Sequence, residues 1–518
     1  MSRLVQDLLK PANYPPPRPT SVKLVTTHGS WVFLTDTDAW KVKRPVDYGF
    51  FDFTTLEKRR IDCEAEVTLN RRLSRDTYLG VLPVRRDAKG HSVARGGEIV
   101  DYAVRMKRLN DDDSALAWVR DGRPLQTRLE GLAELIANFH RSNPGKVEFA
   151  SPEALAVNVK ENFSQLQPFL GQGLHEAVFR SVKGWQETFL EEQAFLLRDR
   201  AWNGYIAEGH GDLRLEHWFI SGSNLIDCIE FNERFRHLDG AADIAFLAMD
   251  LEVHGHPEMA SWLLSQYAEK RDDYRMYRLL DFYFSYRAWV RGKIALFQSE
   301  EAGLAKVKLA EAEAYFNVAE AYTRRRGRGL PVIAVGGMIG SGKSTLAEAV
   351  AYCLSLPLLV TDRLRKRIQG REMHRPAETG TYKEAARRAT YAQMLWRAGL
   401  ILESNRGAVL DATFWTQDLR LAARDLARYH KRPFLFLETH CDEETIRERL
   451  RKREYQEEAS DASEDLLDRF KKWYEPATGI ERRVVRTTGD LRRAVQEIGA
   501  QLGLAARCDT YWWPSSPA

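Results

Sequence analysis

The stretch LPVIAVGGMIGSGKSTLAEAVAYCL, Leu330 to Leu354, decides how the second half of this chain folds. Its β-branched run, Val332 to Val335, reads as a buried strand, and TLAEAVAYCL reads as a helix. Between them GMIGSGKS, Gly337 to Ser344, satisfies GxxxxGK[ST] in the strand, loop and helix context that a phosphate-binding loop needs. Gly337, Gly340 and Gly342, with Ser341, let backbone amides turn toward phosphates, and a helix beginning near Lys343 and running into Thr345 points its positive end at them. ATP is the expected ligand, with Lys343 reaching its β and γ phosphates and Ser344 holding Mg2+.

Downstream of the loop, short apolar strands alternate with amphipathic helices: Leu358 to Val360, Ala408 to Asp411, Phe434 to Glu438 and Val484 to Thr487. That alternation predicts a parallel α/β sheet. In such a sheet ligands sit at the carboxyl ends of the strands, where LLVTDRLRK places Asp362 and AVLDATF places Asp411 and Thr413. Asp362 can accept the proton of an acceptor hydroxyl, and Asp411 can contact the metal. CDEETIRERLRKREYQE reads as a helix with Arg449 and Arg453 on one face, a row able to close over phosphates as a lid.

Upstream, EEAGLAKVKLAEAEAYFNVAEAYTRRR reads as one long helix ending at a basic, Gly-containing joint, Arg324 to Gly329. The expected division is 1–326, 327–505 and a tail, 506–518, containing Trp512 and Trp513. The first half opens with strands at Val22 to Thr26, Trp31 to Leu34 and Ala39 to Lys43, then a helix from Thr55 to Leu73 and strands near Val81 to Val84 and Ile99 to Leu109. A mostly helical stretch follows, so the expectation is a small sheet-rich lobe on a larger helical one. Within the latter, FYFSYRAWV at Phe282 to Val290 reads as helix core, and His237, His254 and His256 lack the spacing of a zinc site.

Composition bounds the function. The 518 residues suggest two to four domains at roughly 100 to 200 residues each. With 77 Lys and Arg against 73 Asp and Glu, the formal charge is +4, too even for a protein that coats nucleic acid. Five cysteines without CxxC spacing suggest neither a disulfide framework nor a zinc ribbon, and fit a reducing cytoplasm. No stretch has signal-peptide or membrane-spanning length, so no membrane partner is expected.

GMIGSGKST, TDRLRK, LDATF and RERLRKRE together resemble the P-loop small-molecule and polynucleotide kinases, a group that includes the zeta-type toxins. The resemblance spans about Leu330 to Leu504 and implies Asp362 as the base for an acceptor hydroxyl, with Arg449 and Arg453 neutralising the transferring phosphate. GHGDLRLEHWFI, Gly209 to Ile220, followed by LIDCIEF, looks like the aminoglycoside phosphotransferase group, whose loop reads HGDxxxxN. That resemblance implies Asp212 as base, Asp227 as Mg2+ ligand and His210 as loop support. AWKVKRPVDYGFFDF and CEAEVTLNRRL resemble the same group's nucleotide lobe, which implies that Lys43, with Lys41 as the lesser candidate, contacts phosphates and pairs with Glu66. The loop's Asn is replaced by His217, a poor ligand for a hard ion, which leaves Glu230 or Glu216 to help Asp227. THGSWVF, Thr27 to Phe33, is the candidate for a loop over the nucleotide.

The expected protein is therefore an α+β kinase-like domain fused to an α/β P-loop kinase that uses Mg-ATP to phosphorylate a hydroxyl of a small molecule. A polynucleotide 5'-hydroxyl kinase is one alternative, with Arg363, Arg365, Lys366 and Arg367 as the basic residues near the acceptor. A regulatory ATP-binding protein with a first half that does not transfer is the other.

Overall fold

The computed structural model describes every residue except 1, 28, 48, 50, 300–304, 326–328, 369–383, 455–463 and 514–518. The chain packs as two units and passes between them several times. One contains Met1–Arg123, Asn138–Asp250 and Ser285–Glu320; the other contains Pro124–Ala137, Leu251–Phe284 and Ala321–Ala518. Among the described residues no helix is long and apolar enough to cross a membrane.

The first unit carries a six-stranded antiparallel sheet in the order β1 (Lys23–Thr26), β2 (Ser30–Leu34), β3 (Asp38–Lys43), β6 (Glu98–Lys107), β4 (Tyr78–Asp87), β5 (Gly90–Ser92). Its strands pair Lys41 with Val32 on one side and with Val104 on the other, and Lys43 with Ser30, so β3 lies inside the sheet. Alternation along β3 sends Lys41 and Lys43 to the same face. Onto that face packs the Leu56–Asn70 helix, which carries Asp62 and Glu66, through Cys63 and Val67. Thr55 caps this helix, its hydroxyl accepting from the Lys58 amide at 3.2 Å. Thr55→Ala is expected to cost about 1 kcal/mol of local stability. Faster amide hydrogen exchange across the helix would register that loss, and unchanged exchange would show that the cap is dispensable.

The helical part of the first unit includes two short antiparallel pairs. β7 (Ile206–Glu208) pairs with β10 (His237–Asp239), and β8 (Trp218–Phe219) pairs with β9 (Asn224–Leu225). The loop from β7 to β8 presents Asp212, and the chain leaving β9 presents Asp227. FYFSYRAWV is helix core as expected, with Phe282, Phe284 and Trp289 fully buried.

The second unit is built on a parallel five-stranded sheet in the order β12 (Leu358–Val360), β13 (Ala408–Asp411), β11 (Val332–Gly337), β14 (Phe434–His440), β15 (Arg482–Arg486). The chain runs from the central strand β11 to one edge and later to the other, so the order reverses beside β11 and opens a crevice at its carboxyl end. The edge strand β12 is covered by the Pro257–Arg271 helix, whose Ser265 hydroxyl accepts from the Leu358 amide at 2.9 Å and donates to the Leu358 carbonyl at 3.3 Å. Covering an edge removes a template for unwanted pairing. The tail docks on this unit: Arg507 N–H donates to the Cys353 carbonyl at 2.8 Å, and the Tyr511 ring lies 5.3 Å from that of Tyr352.

The expectation of a sheet-and-helix α+β first part and a P-loop α/β second part with a parallel sheet is met. Strands β12 and β13 begin and end where the sequence places them. The hairpin strand β5 had no signal beyond the turn residues Ala88 to Gly90.

Candidate functional site

In the second unit β11 ends on Gly337 and the Lys343–Cys353 helix begins six residues later. The turn between them depends on left-handed glycines, with φ of 72° at Gly340 and 86° at Gly342. A Cβ at Gly340 would stand 3.1 Å from Ile446 and one at Gly342 would stand 2.9 Å from Thr487, so the cradle is closed from behind by two other segments. Ser341 donates to the Met338 carbonyl at 2.6 Å, and Thr487 donates to the Ser341 carbonyl at 2.6 Å. These bonds consume carbonyls of the loop, and the Ser341 amide also closes on the Met338 carbonyl at 3.2 Å. Lys343 Nζ folds over the loop onto the Met338 carbonyl at 2.8 Å, and Thr345 follows in the helix's first turn.

Ser344 opens the helix beside Asp411, the last residue of β13, and hydrogen-bonds its carboxylate. Burial drives the Asp411 carboxyl above its ordinary range, while Lys343 and Ser344 oppose that shift. Asp362 lies in the first turn of the Thr361–Ile368 helix with its side chain half exposed, its Oδ1 3.8 Å from Arg365. Glycine amides, a lysine, a serine hydroxyl and aspartate oxygens make a donor set suited to a nucleotide phosphate and a hard cation.

The Glu443–Glu454 helix packs Ile446 and Leu450 with Ile339 of the loop. Its Arg449 reaches Thr487 Oγ1 at 3.4 Å and Cys441 Sγ at 3.8 Å. The Arg453 side chain lies outside the described residues. Arg363 turns to Glu269 at 3.1 Å and to Glu348 at 3.0 Å, while Arg365 and Lys366 are buried. The basic run therefore forms no open groove. Burial lifts Glu348 to about 7 even with Arg363 beside it.

In the first unit a cavity of about 770 Å³ opens between the sheet and the helical part, and Lys41, Asp212 and Asp227 line it. Lys43 is almost wholly buried, paired with Asp62 at 2.8 Å, Glu66 at 2.6 Å and also Glu230. Asp62, Glu66 and Glu230 have the proximity of a metal site, but the Lys43 ammonium already fills their centre. Burial raises Glu230 to about 8 despite Lys43, because Glu66 and Asp62 add like charge. Lys41 is nearer the open space, bridging Glu66 at 3.0 Å and Asp227 Oδ1 at 2.7 Å. Both lysines thus meet Glu66, and Lys41 is the one that also meets Asp227.

Asp227 adopts a left-handed backbone, φ 63°, and its amide donates to the Tyr78 hydroxyl at 3.1 Å. Burial opposes its ionisation, yet Lys41 and His217 hold its carboxyl well below the usual range. Asp212 is likewise kept ionised against burial by Arg214 and His217. Arg214 grips both of its oxygens at 3.0 Å, a bidentate pair that the sequence reading passed over. The signal was present two residues after the aspartate in DLRLEH. His217, at the loop's Asn position, hydrogen-bonds the Asp212 carbonyl through Nδ1 at 2.8 Å and sets Nε2 3.7 Å from Asp227 Oδ2. Glu216 is tied to Arg214 and Glu230 to Lys43, so neither is directed to Asp227.

His210 supports the loop: its Nε2 meets the Ile226 carbonyl at 2.9 Å, and burial lowers its pKa to about 4. Asp243, also missed, accepts from the amides of His210 and Gly211 at 2.7 and 2.9 Å and meets His140 Nε2 at 3.0 Å. It fixes the path of the loop from within the Gly240–Val253 helix. Thr27, Gly29 and Ser30, from the THGSWVF turn, also line the cavity. His256 pairs with Glu258 at 2.9 Å, and among the described residues no metal-ligating cluster includes His237, His254 or His256.

Residues 332–477 match the family model described as AAA domain. Among solved structures, a choline/ethanolamine kinase family protein from Mesorhizobium loti is 11% identical, with a TM-score of 0.38 over 63% of this chain and 100% of that one. A gluconokinase from Sinorhizobium meliloti is 23% identical, with a TM-score of 0.26 over 34% of this chain and 93% of that one. "Uncharacterized protein Rv2004c" of Mycobacterium tuberculosis and "Uncharacterized protein Mb2027c" of Mycobacterium bovis are each 32% identical over 410 residues, 77% of this chain and 80% of theirs. At that identity and coverage, this chain belongs to the same family as these two mycobacterial proteins.

Proposed function

We propose that the chain is an ATP-dependent phosphotransferase whose P-loop unit phosphorylates a hydroxyl of a small molecule. The convergence of Lys343, Ser344, Asp411 and Asp362 on the glycine cradle at one end of the parallel sheet carries this reading. Bound Mg-ATP supplies the transferable phosphoryl group and the charge of the metal. Gly337, Gly340, Ser341, Gly342 and Thr345 shape the phosphate cradle, Lys343 neutralises phosphate charge, and Ser344 with Asp411 holds the cation. Asp362 orients the acceptor hydroxyl and takes its proton, and Arg449 and Arg453 approach the transferring group from the lid side. The burial of Arg365 and Lys366 weighs against a polynucleotide acceptor.

The first unit is proposed as a second nucleotide site, in which Lys41 takes the phosphate role expected of Lys43, Glu66 steadies both lysines, Asp227 holds Mg2+ and Asp212 serves the acceptor. A sensing role without transfer is the rival reading, and the Arg214 clamp on both Asp212 oxygens favours it. We take the linear domains as 1–326 and 327–505, and five free cysteines support a cytoplasmic setting. A screen of hydroxyl compounds with radiolabelled ATP, run on Lys343→Ala and Asp212→Ala chains separately, assigns any transfer to its unit. Label transfer that survives in both single variants and disappears in neither would sink the assignment of both sites.

His217→Asn tests whether the loop is built around imidazole. Loss of the bond to the Asp212 carbonyl, about 1 kcal/mol, predicts roughly fivefold weaker Mg2+-dependent ATP binding in a Lys343→Ala background. Stronger binding would show instead that an amide serves the cation better and that the pocket was not rebuilt.

A further inference from the structure

The cavity of the first unit has two chemically different sides. The sheet side carries the apolar Val25, Val32, Ala39 and Met106 together with Lys41 and Lys43, whose charges are met by Asp227, Glu66 and Glu230. The opposite side comes from the Pro152–Leu166, Leu280–Gln298 and Ala305–Thr323 helices, which contribute Arg287, Arg291, Lys293 and Lys308 to the lining. Among the described lining residues these helices contribute no carboxylate. Of the acids that line the cavity, Asp212, Asp227, Glu216 and Glu230 come from the loops and are matched to Arg214, Lys41 and Lys43, and Asp111 is the fifth.

Arg291 belongs to this basic wall. Its charge acts on both Asp212 and Glu216, which places it beside the reacting end of the cavity. Its Nε is buried without a hydrogen-bond partner, and its ion pair with Glu311 is long, 3.5 Å. Glu311 is shared with Lys308, at 2.7 Å. Lys293 donates to Asn162 Oδ1 at 2.5 Å and Gln165 Oε1 at 2.8 Å, and the charge of Glu161 also acts on it. Arg287 lies over the Phe246 ring at 4.8 Å and donates to the Ala242 carbonyl. Four cations on helices that line the cavity with no carboxylate of their own make a costly wall for a polyamine and a favourable one for an anion.

We propose that this wall is the acceptor subsite of the first unit and that its acceptor is a hydroxyl compound bearing a carboxylate or phosphate group. The inference rests on the nucleotide reading of that unit and adds the sign of the acceptor's charge. Arg291 receives the anionic group and so sets the hydroxyl toward Asp212.

Calorimetric titration of the full chain with Mg-ADP present uses four probes of one skeleton: glucose, gluconate, glucose 6-phosphate and glucosamine. At least one anionic probe is expected to bind about tenfold more tightly than glucose, and glucosamine no more tightly than glucose. The gluconate and glucose 6-phosphate arms separate a carboxylate from a phosphate. Arg291→Ala is expected to erase the preference and Arg291→Lys to keep part of it, which distinguishes lost charge from lost folding. The proposal is overturned if glucose or glucosamine binds as tightly as the anions, if neither anion binds by about 10 mM, or if Arg291→Ala leaves the preference intact. The nucleotide reading fails separately, if Asp227→Ala in a Lys343→Ala background leaves Mg-ATP binding unchanged.

Discussion

Lys343→Ala is expected to lower ATP-dependent transfer by the second unit about 10²- to 10³-fold, the usual effect of removing one preorganised donor aimed at developing charge. The lysine stands where the Lys343–Cys353 helix begins, so its ammonium adds to the positive end of that helix inside a cradle of amides. Among its partners is the Met338 carbonyl, a neutral oxygen of the loop itself. Alanine leaves the glycine turn and its backing by Ile446 and Thr487 untouched, so the fold is expected to hold. Titration of the full chain with ATP, in an Asp227→Ala background that silences the first unit, reads the effect. Equal affinity with and without Lys343 would remove the P-loop assignment.

The phosphate loop was legible because its chemistry is local: strand, turn and helix start lie within thirteen residues, and spacing alone fixes which atoms meet. The first unit's site draws instead on β3, the Leu56–Asn70 helix and two loops, and sequence order does not rank residues that meet only through packing. Lys41 and Lys43 show the difficulty. Both point to one face of β3, and only depth separates them, 15% side-chain exposure at Lys41 against 1% at Lys43. The deeper lysine ends among three carboxylates, while the shallower one reaches Asp227 and the cavity. Arg363 to Arg367 read as basic residues near the acceptor, and the structure turns Arg363 inward to Glu269 and Glu348. Glu269 belongs to a helix distant in sequence, which no local pattern connects to the run.

Asp362→Asn is the second large effect expected, a fall of about 10² to 10⁴ in transfer to the acceptor with ATP affinity nearly unchanged. Asp362 follows β12 directly, so its carboxylate stands at the same end of the sheet as Asp411. Its negative charge is one of the influences that raise the Asp411 carboxyl, which shows that the two share one electrostatic environment. Asp411 is buried and hydrogen-bonded to Ser344, a position that suits a metal ligand. Asp362 is half exposed, with its closest charged contact at 3.8 Å, and it keeps an oxygen available to an incoming hydroxyl. An amide preserves the shape and the helix-start position but has no basicity, so loss of transfer without loss of ATP binding isolates the proton-accepting role. Single-turnover label transfer and ATP titration on the same Asp362→Asn preparation supply the two numbers. Transfer within about twofold of the unaltered chain would make Asp362 a helix-start residue only. A parallel loss of ATP affinity would instead place it among the metal ligands with Asp411, because removing a ligand charge weakens the bound cation before any proton has to move.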